Sequence, residues 1–269
     1  RKGGRRFDMS KHTDLIKREF TKQARGFEAY QSIFSKDGFN ALAIEKMHFT
    51  GRETVLEVAA GTCAFGRAVA PHVGRIVETD ATEAMLQTGR EQGEKYGVRN
   101  AEYMICEAEK LPFADGVFDA VVSRLAFHHF EDAGAVMREM RRVLKEGGRL
   151  AIVDMAARAE SLRGVADGYE RLRDPSHVRC LSEREFESLA EKNGFSREFT
   201  FLTKIPVRLS AWLDLTCTPR EIREEIVGAM EREIGGGSRT GFEPYAKDGE
   251  ILFDHRWFMY IGTAAGSGR

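Results

Sequence analysis

The chain has 269 residues, 42% of them hydrophobic and 31% charged, enough to bury a full core in one or two domains. Its 41 Lys plus Arg against 42 Asp plus Glu leave a formal charge of -1, with no global field for a polyanion, so nucleic acid is not expected as a partner. Cys63, Cys106, Cys180 and Cys217 form no CxxC pair, which argues against zinc or a disulfide framework and suits the cytoplasm; nor does any apolar run approach the ~20 residues that span a bilayer.

Residues 1–9 begin RKGGRRFD and read as a leader outside the fold. From Lys11 to Lys46, Phe20, Ala24, Phe27, Tyr30 and Phe34 recur at helical spacing, predicting one or two amphipathic helices. TVLEVAAG is a β-branched run that becomes a strand ending in small residues, and FGRAVAPHV continues as helix. RIVETD is a second strand, and Thr82 is placed to cap a helix over Glu83–Tyr96. AEYMIC and GVFDAVVSRL follow as strands, then a helix from Asp132 to Lys145 closed by Gly147 and Gly148, then the strand RLAIVDM. This alternation predicts an α/β fold, a Rossmann-like, doubly wound, mostly parallel sheet.

Beyond Met155 the rhythm changes. Ala156 to Cys180 reads as a helix and a loop, and Ser182 with Glu185 fits a capping box opening a helix that stops before Gly194. FSREFTFLTKI and ILFDHRWFMYIG alternate as strands of an antiparallel C-terminal edge, with helix over Leu209–Ile234 between them. Residues 10–262 are thus expected to form a single domain with an N-terminal lid (10–50) and a helical cap from insertions at 156–180 and 206–245; 263–269 is a tail.

The passage VLEVAAGTCAFGRAVA lies at the mouth of an open parallel sheet, where ligands bind. A dinucleotide fingerprint fails because only Gly61 and Gly66 are present, and a P-loop fails because Arg67 and Ala68 stand where Lys and Ser/Thr are required. The remaining nucleotide-site reading is the S-adenosylmethionine loop, [DE]-x-G-x-G-x-G, with Ala59 and Cys63 replacing its first and third glycines; an ordinary strand-to-helix turn is the competing reading. Asp80 ends the second strand about 20 residues after the turn, where a carboxylate accepts from ribose hydroxyls; a helix-capping Asp is the alternative, and the spacing favours the ribose.

LPFADGVFDAVVS, the HHF-x-D that follows it, and RRVLKEGGRLAIVD resemble the small-molecule methyltransferases related to the quinone-biosynthesis enzymes, over about Thr54 to Phe195. RLRDPSHVR with LSEREFESLAEKNGF resembles a cap in one subgroup of bacterial members. The resemblance implies S-adenosyl-L-methionine as cofactor and S-adenosyl-L-homocysteine as product. It gives Glu57 the methionine amino group, Ala59 and Gly61 the close approach, Asp80 the ribose, and Glu107 with Ala108 the adenine. Ala81 and Met85 would flank the adenine, with the core as the alternative place for Met85. Arg124, ending the fourth strand, points towards the site or serves as a salt-bridge partner. Cys63 is expected near the methionine end, reduced and not a nucleophile.

Methyl transfer needs a base only when the acceptor still carries its proton, and imidazole suits that role. His128 and His129 follow the fourth strand, and His177 lies in the cap; His129 is the preferred candidate, with His128 and His177 behind it, the alternative being that one of the adjacent pair caps the following helix or packs structurally. His255 reads as structural. Phe127, Tyr169, Trp212, Trp257 and Phe258 are candidates for an apolar acceptor pocket or for core. The expected activity is methylation of a small molecule at an O, C or N atom by a monomer or homodimer. The alternatives are a methyltransferase acting on tRNA or protein and a non-catalytic S-adenosylmethionine binder.

Overall fold

The computed structural model describes residues 9–34 and 38–266, and the side chains of residues 11–28 and 38–266. Residues 1–8 of the expected leader and the side chains of Tyr30 and Phe34 lie outside that range. Eight strands form one sheet in the order β3-β2-β1-β4-β5-β8-β6, with β7 paired to β8. They are β1 (Thr54–Val58), β2 (Arg75–Asp80), β3 (Ala101–Ile105), β4 (Phe118–Arg124), β5 (Leu144–Met155), β6 (Phe195–Arg208), β7 (Tyr245–Lys247) and β8 (Glu250–Ala264). The first five are parallel; β8 runs antiparallel between β5 and β6.

Period-2 alternation divides the core into two layers. Val55, Ile76, Ala120, Val122, Ala151 and Val153 point to one face, while Leu56, Val58, Val77, Val121, Leu150 and Ile152 point to the other. The first face is covered by α2 (Phe39–Met47), α3 (Ala64–Val69), α8 (Leu209–Leu215) and α9 (Arg220–Ile234), which supply Met47, Phe65, Trp212 and Met230. The second is covered by α5 (Ala133–Val143) and α7 (Glu183–Lys192) through Met137, Met140 and Phe186. Helices α1 (Met9–Phe34), α4 (Glu83–Lys95) and α6 (Glu160–Arg173) complete the fold. Among the described residues no helix is long and apolar enough to cross a membrane.

The capping box opening α7 is present, with both Ser182 and Glu185 side chains engaged. Two local expectations are corrected. Helix α5 ends at Val143, not at the glycine pair: pairing jumps from Phe118↔Leu144 to Ala120↔Arg149, so Gly147 (φ 68°) and Gly148 sit in a bulge within β5. Thr82 occupies the N-cap of α4, but its side chain makes no cap hydrogen bond. Its backbone N–H instead donates to Asp80 Oδ1 at 2.8 Å, which fixes the turn.

Strand order reverses where β1 lies between β2 and β4, and this switch point opens the crevice described next.

Candidate active site

The turn leaving β1 has left-handed backbone at residues 59, 61 and 63, with φ of 55°, 54° and 56°. The conformation that the three motif glycines would adopt freely is therefore kept by Ala59 and Cys63, at a cost of roughly 1 kcal/mol each. Hydrogen bonds hold it: Ala60 N–H donates to the Thr79 carbonyl and Cys63 N–H to the Ala60 carbonyl, both at 2.8 Å. Gly61 N–H donates to Asp80 Oδ2 at 2.8 Å. The Cys63 side chain is buried towards α4, where a Cβ on Gly89 would lie 2.6 Å from its sulfur. Burial pushes this thiol well above its ordinary range, so it is no thiolate, and it is absent from the cleft walls.

The cleft holds about 1030 Å³ of open space. Glu57, Ala59, Gly61, Asp80, Ala81, Glu107, Ala108 and Arg124, all expected cofactor contacts, come together on its walls. Met85 does not: it is fully buried behind the turn, because the first turn of α4 faces the protein interior. Sequence reasoning missed Glu109, Glu131, Thr79 and Phe130, which also line the cleft. Arg124 is buried with its guanidinium 5.2 Å from the Trp257 ring centroid. Burial pushes its pKa down to about 10, with the Glu57 charge opposing that fall. Helix α1 closes the opposite wall through His12, Thr13, Ile16, Phe20 and Phe27.

A second chamber of about 500 Å³ shares the walls Phe20, Phe27, Leu125 and His129 with the cleft. Its remaining walls include Gln23, His128, Arg173, Asp174, Trp212, His255 and Trp257. Trp212 and Trp257 are thus chamber walls; Phe127 and Phe258 pack with Phe186 in the core, and Tyr169 packs on Phe242. Although read as structural, His255 faces the chamber.

The three candidate histidines have different surroundings. His129 Nδ1 lies 3.0 Å from the Ser176 carbonyl oxygen, an acceptor only, so Nδ1 carries the hydrogen and Nε2 the lone pair. Burial, then the neighbouring His128, holds the His129 pKa well below the ordinary imidazole value. His128 Nδ1 lies 2.5 Å from Asp154 Oδ1. Burial alone would lower its pKa, but Asp154 outweighs that and raises it. Asp154, a residue sequence reasoning missed, also accepts from the N–H groups of Ala126, Phe127 and Met155, fixing the segment that carries both rings. His177 lines neither space: its ring lies 5.6 Å from that of His128, and its Nε2 is 2.8 Å from Asp167 Oδ1. The same carboxylate oxygen accepts Cys180 N–H, so a local structural network explains His177.

Asp174 supports the His129 side of the chamber. Its Oδ1 accepts from Ser176 N–H and Oγ–H, and its Oδ2 from Gln23 of α1 at 3.3 Å. Burial would raise its pKa, yet His129, Arg173 and Ser176 hold it down to about 2.

A methyltransferase-domain model matches residues 56–152. YcgJ of Bacillus subtilis, an uncharacterised methyltransferase, is 30% identical over 209 residues, covering 77% of this chain and 82% of that protein. Its crystal structure superimposes with a TM-score of 0.77 at 27% identity, over 85% of this chain and 98% of that one. A ubiquinone/menaquinone biosynthesis C-methyltransferase of Burkholderia mallei is 37% identical over 119 residues, 43% of this chain and 48% of that protein. By sequence and by sheet architecture, the chain belongs to the Rossmann-like, S-adenosylmethionine-dependent methyltransferases.

Proposed function

We propose that the chain transfers a methyl group to a small molecule held in the second chamber, with His129 between acceptor and cofactor. The observation that carries this reading is the chamber of about 500 Å³, walled largely by aromatic rings, that shares Phe20, Phe27, Leu125 and His129 with the cleft, a volume suited to a compact ligand. The quinone-biosynthesis C-methyltransferase among the relatives supports a small acceptor. The near-neutral charge of -1 supplies no attraction to a macromolecular polyanion. Four free cysteines suit a reducing cytoplasm.

The cleft's donor set fits the cofactor. Glu57 is a buried carboxylate for the methionine ammonium, and Asp80 keeps acceptor capacity for the ribose hydroxyls beyond its two backbone hydrogen bonds. Glu107 and Ala108 line the cleft and offer a carboxylate and a backbone group to the adenine, and Arg124 balances Glu57. Bound S-adenosylmethionine supplies an electrophilic methyl group. The chain aligns the partners, excludes water with α1, and accepts a proton on His129 Nε2 when the acceptor is a hydroxyl or an acidic carbon. His128, held by Asp154, keeps the 127–129 turn in place.

Radiolabelled methyl from S-adenosylmethionine, incubated with cell extract and the enzyme, should appear in the small-molecule fraction. Label confined to protein or RNA would overturn the proposal.

Asp80→Ala should weaken S-adenosylhomocysteine binding by about 2–4 kcal/mol in a folded protein. The loss comes from the ribose contacts and from the freed Gly61 N–H. Calorimetry giving unchanged affinity would remove Asp80 from the site.

For His129, protonation abolishes the base, so turnover should rise with pH through a step below the ordinary imidazole range and stay level at neutrality. His129→Ala should lose that step and about 10²–10⁴-fold in rate while keeping cofactor affinity. A step above the ordinary range that survives in this variant would transfer the role to His128, whose pKa is raised.

Helix α1 should act as a lid. Its amides should exchange about tenfold more slowly or better once S-adenosylhomocysteine binds. Equal exchange with and without ligand would mark α1 as a fixed wall.

A further inference from the structure

Beneath the glycine turn lie two glutamates. Glu57 and Glu78 are register partners on the adjacent parallel strands β1 and β2. Each is 1% exposed, and the two carboxyl groups flank Gly66. Two carboxyl groups buried side by side pair through a hydrogen bond only while a proton stays between them. Glu57 Oε2 also accepts Gly66 N–H at 2.8 Å and faces the cleft. Glu78 does not reach the cleft, and its Oε2 has no N–H or hydroxyl donor among the described residues. The proton therefore belongs on Glu78. Space for this second acid exists because residue 66 is glycine: a Cβ there would lie 1.8 Å from Glu78 Oε1.

We propose that Glu78 is a positioning residue for the cofactor: its carboxylic hydrogen fixes Glu57 and so aims the charged oxygen that Glu57 presents to the methionine amino group. The inference rests on the assignment of Glu57 to that group. Other charged or titratable groups facing the pair are Arg67 and Cys63 from the turn and α3, Tyr103 from β3, Arg124 from β4, and Asp80 near Cys63. Burial, followed by the Glu57 charge, raises Glu78 well above the ordinary carboxyl range, with Arg67 opposing. A raised native pKa contributes stability that is complete at acid pH and is lost as pH rises through the native value. Above that value the site holds two negative charges, and Glu57 loses its donor.

The test compares wild type with Glu78→Gln, Glu78→Ala and Glu57→Gln, measuring S-adenosylhomocysteine affinity by calorimetry from about pH 6 to about pH 9. Glu78→Gln keeps a neutral group with a donor and should bind within about threefold of wild type at neutral pH; Glu78→Ala should bind about tenfold or more weakly. Wild-type affinity should fall with rising pH more steeply than that of Glu78→Gln, a difference in which the ligand's own amino titration cancels. Apo stability should likewise fall with pH in wild type and stay flatter in Glu78→Gln. Infrared spectra should show a protonated carboxyl band in wild type at neutral pH that Glu78→Gln lacks. Parallel pH profiles, no such band, or wild-type affinity in Glu78→Ala would overturn the proposal. If Glu78→Ala does not fold, the profiles and spectra of Glu78→Gln decide it. Unchanged affinity in Glu57→Gln would instead overturn the assignment of Glu57 on which the inference stands.

Discussion

Everything at the mouth of the sheet depends on a carboxylate binding backbone. Asp80, at the end of β2, accepts one N–H from Gly61 and another from Thr82, each at 2.8 Å. Those two bonds tie the turn after β1 to the turn after β2, although nineteen residues separate Gly61 from Asp80. Without them the left-handed residues Ala59 and Cys63 would relax, since each is held against its own steric preference. Charge-assisted bonds of this kind are about twice as strong as neutral ones, and here they fix a loop instead of filling a core.

Asp154 repeats the device one strand pair away. At the end of β5 it accepts three backbone N–H groups and the His128 ring, so the turn after β4 is fixed as firmly as the turn after β1. The two carboxylates between them organise both walls of the crevice. Strand ends in a parallel sheet leave N–H groups exposed in the following turns, and a buried acid is the economical way to satisfy several at once.

Much of this was legible in sequence where the signal was periodic or local. Near-continuous apolar runs mark β1, β4 and the second half of β5 because adjacent residues feed opposite core layers and both faces are covered, and the capping box of α7 depends on residues three apart. Glu57, Asp80 and Glu107 could be named because each sits at a strand end or just beyond it, whereas Glu109 and Glu131 lie farther along their loops and were missed. What failed was direction and pairing. Cys63 occupies a motif glycine's place, but its left-handed backbone sends the sulfur towards α4. His177 looks as available as His129 until Asp167 is seen beside it, a contact made by the fold between α6 and the following loop. Gly147 and Gly148 resemble a helix stop, yet the hydrogen-bonding demand of β4 captures the chain at Leu144.

Helix α1 touches more than one compartment. Phe20 and Phe27 line the cleft and the second chamber alike, Gln23 reaches Asp174, and His12 donates to the His129 carbonyl. Cleft and chamber therefore share one wall, and neither can open on that side without disturbing the other. A ligand that had to order that wall would bear its conformational entropy cost once, whichever molecule arrived first. The second arrival meets a surface already in place, and linkage requires the benefit to be equal in both directions. Occupants of cleft and chamber would thus be coupled through one helix as well as through any direct contact, so that one compartment would register what fills the other.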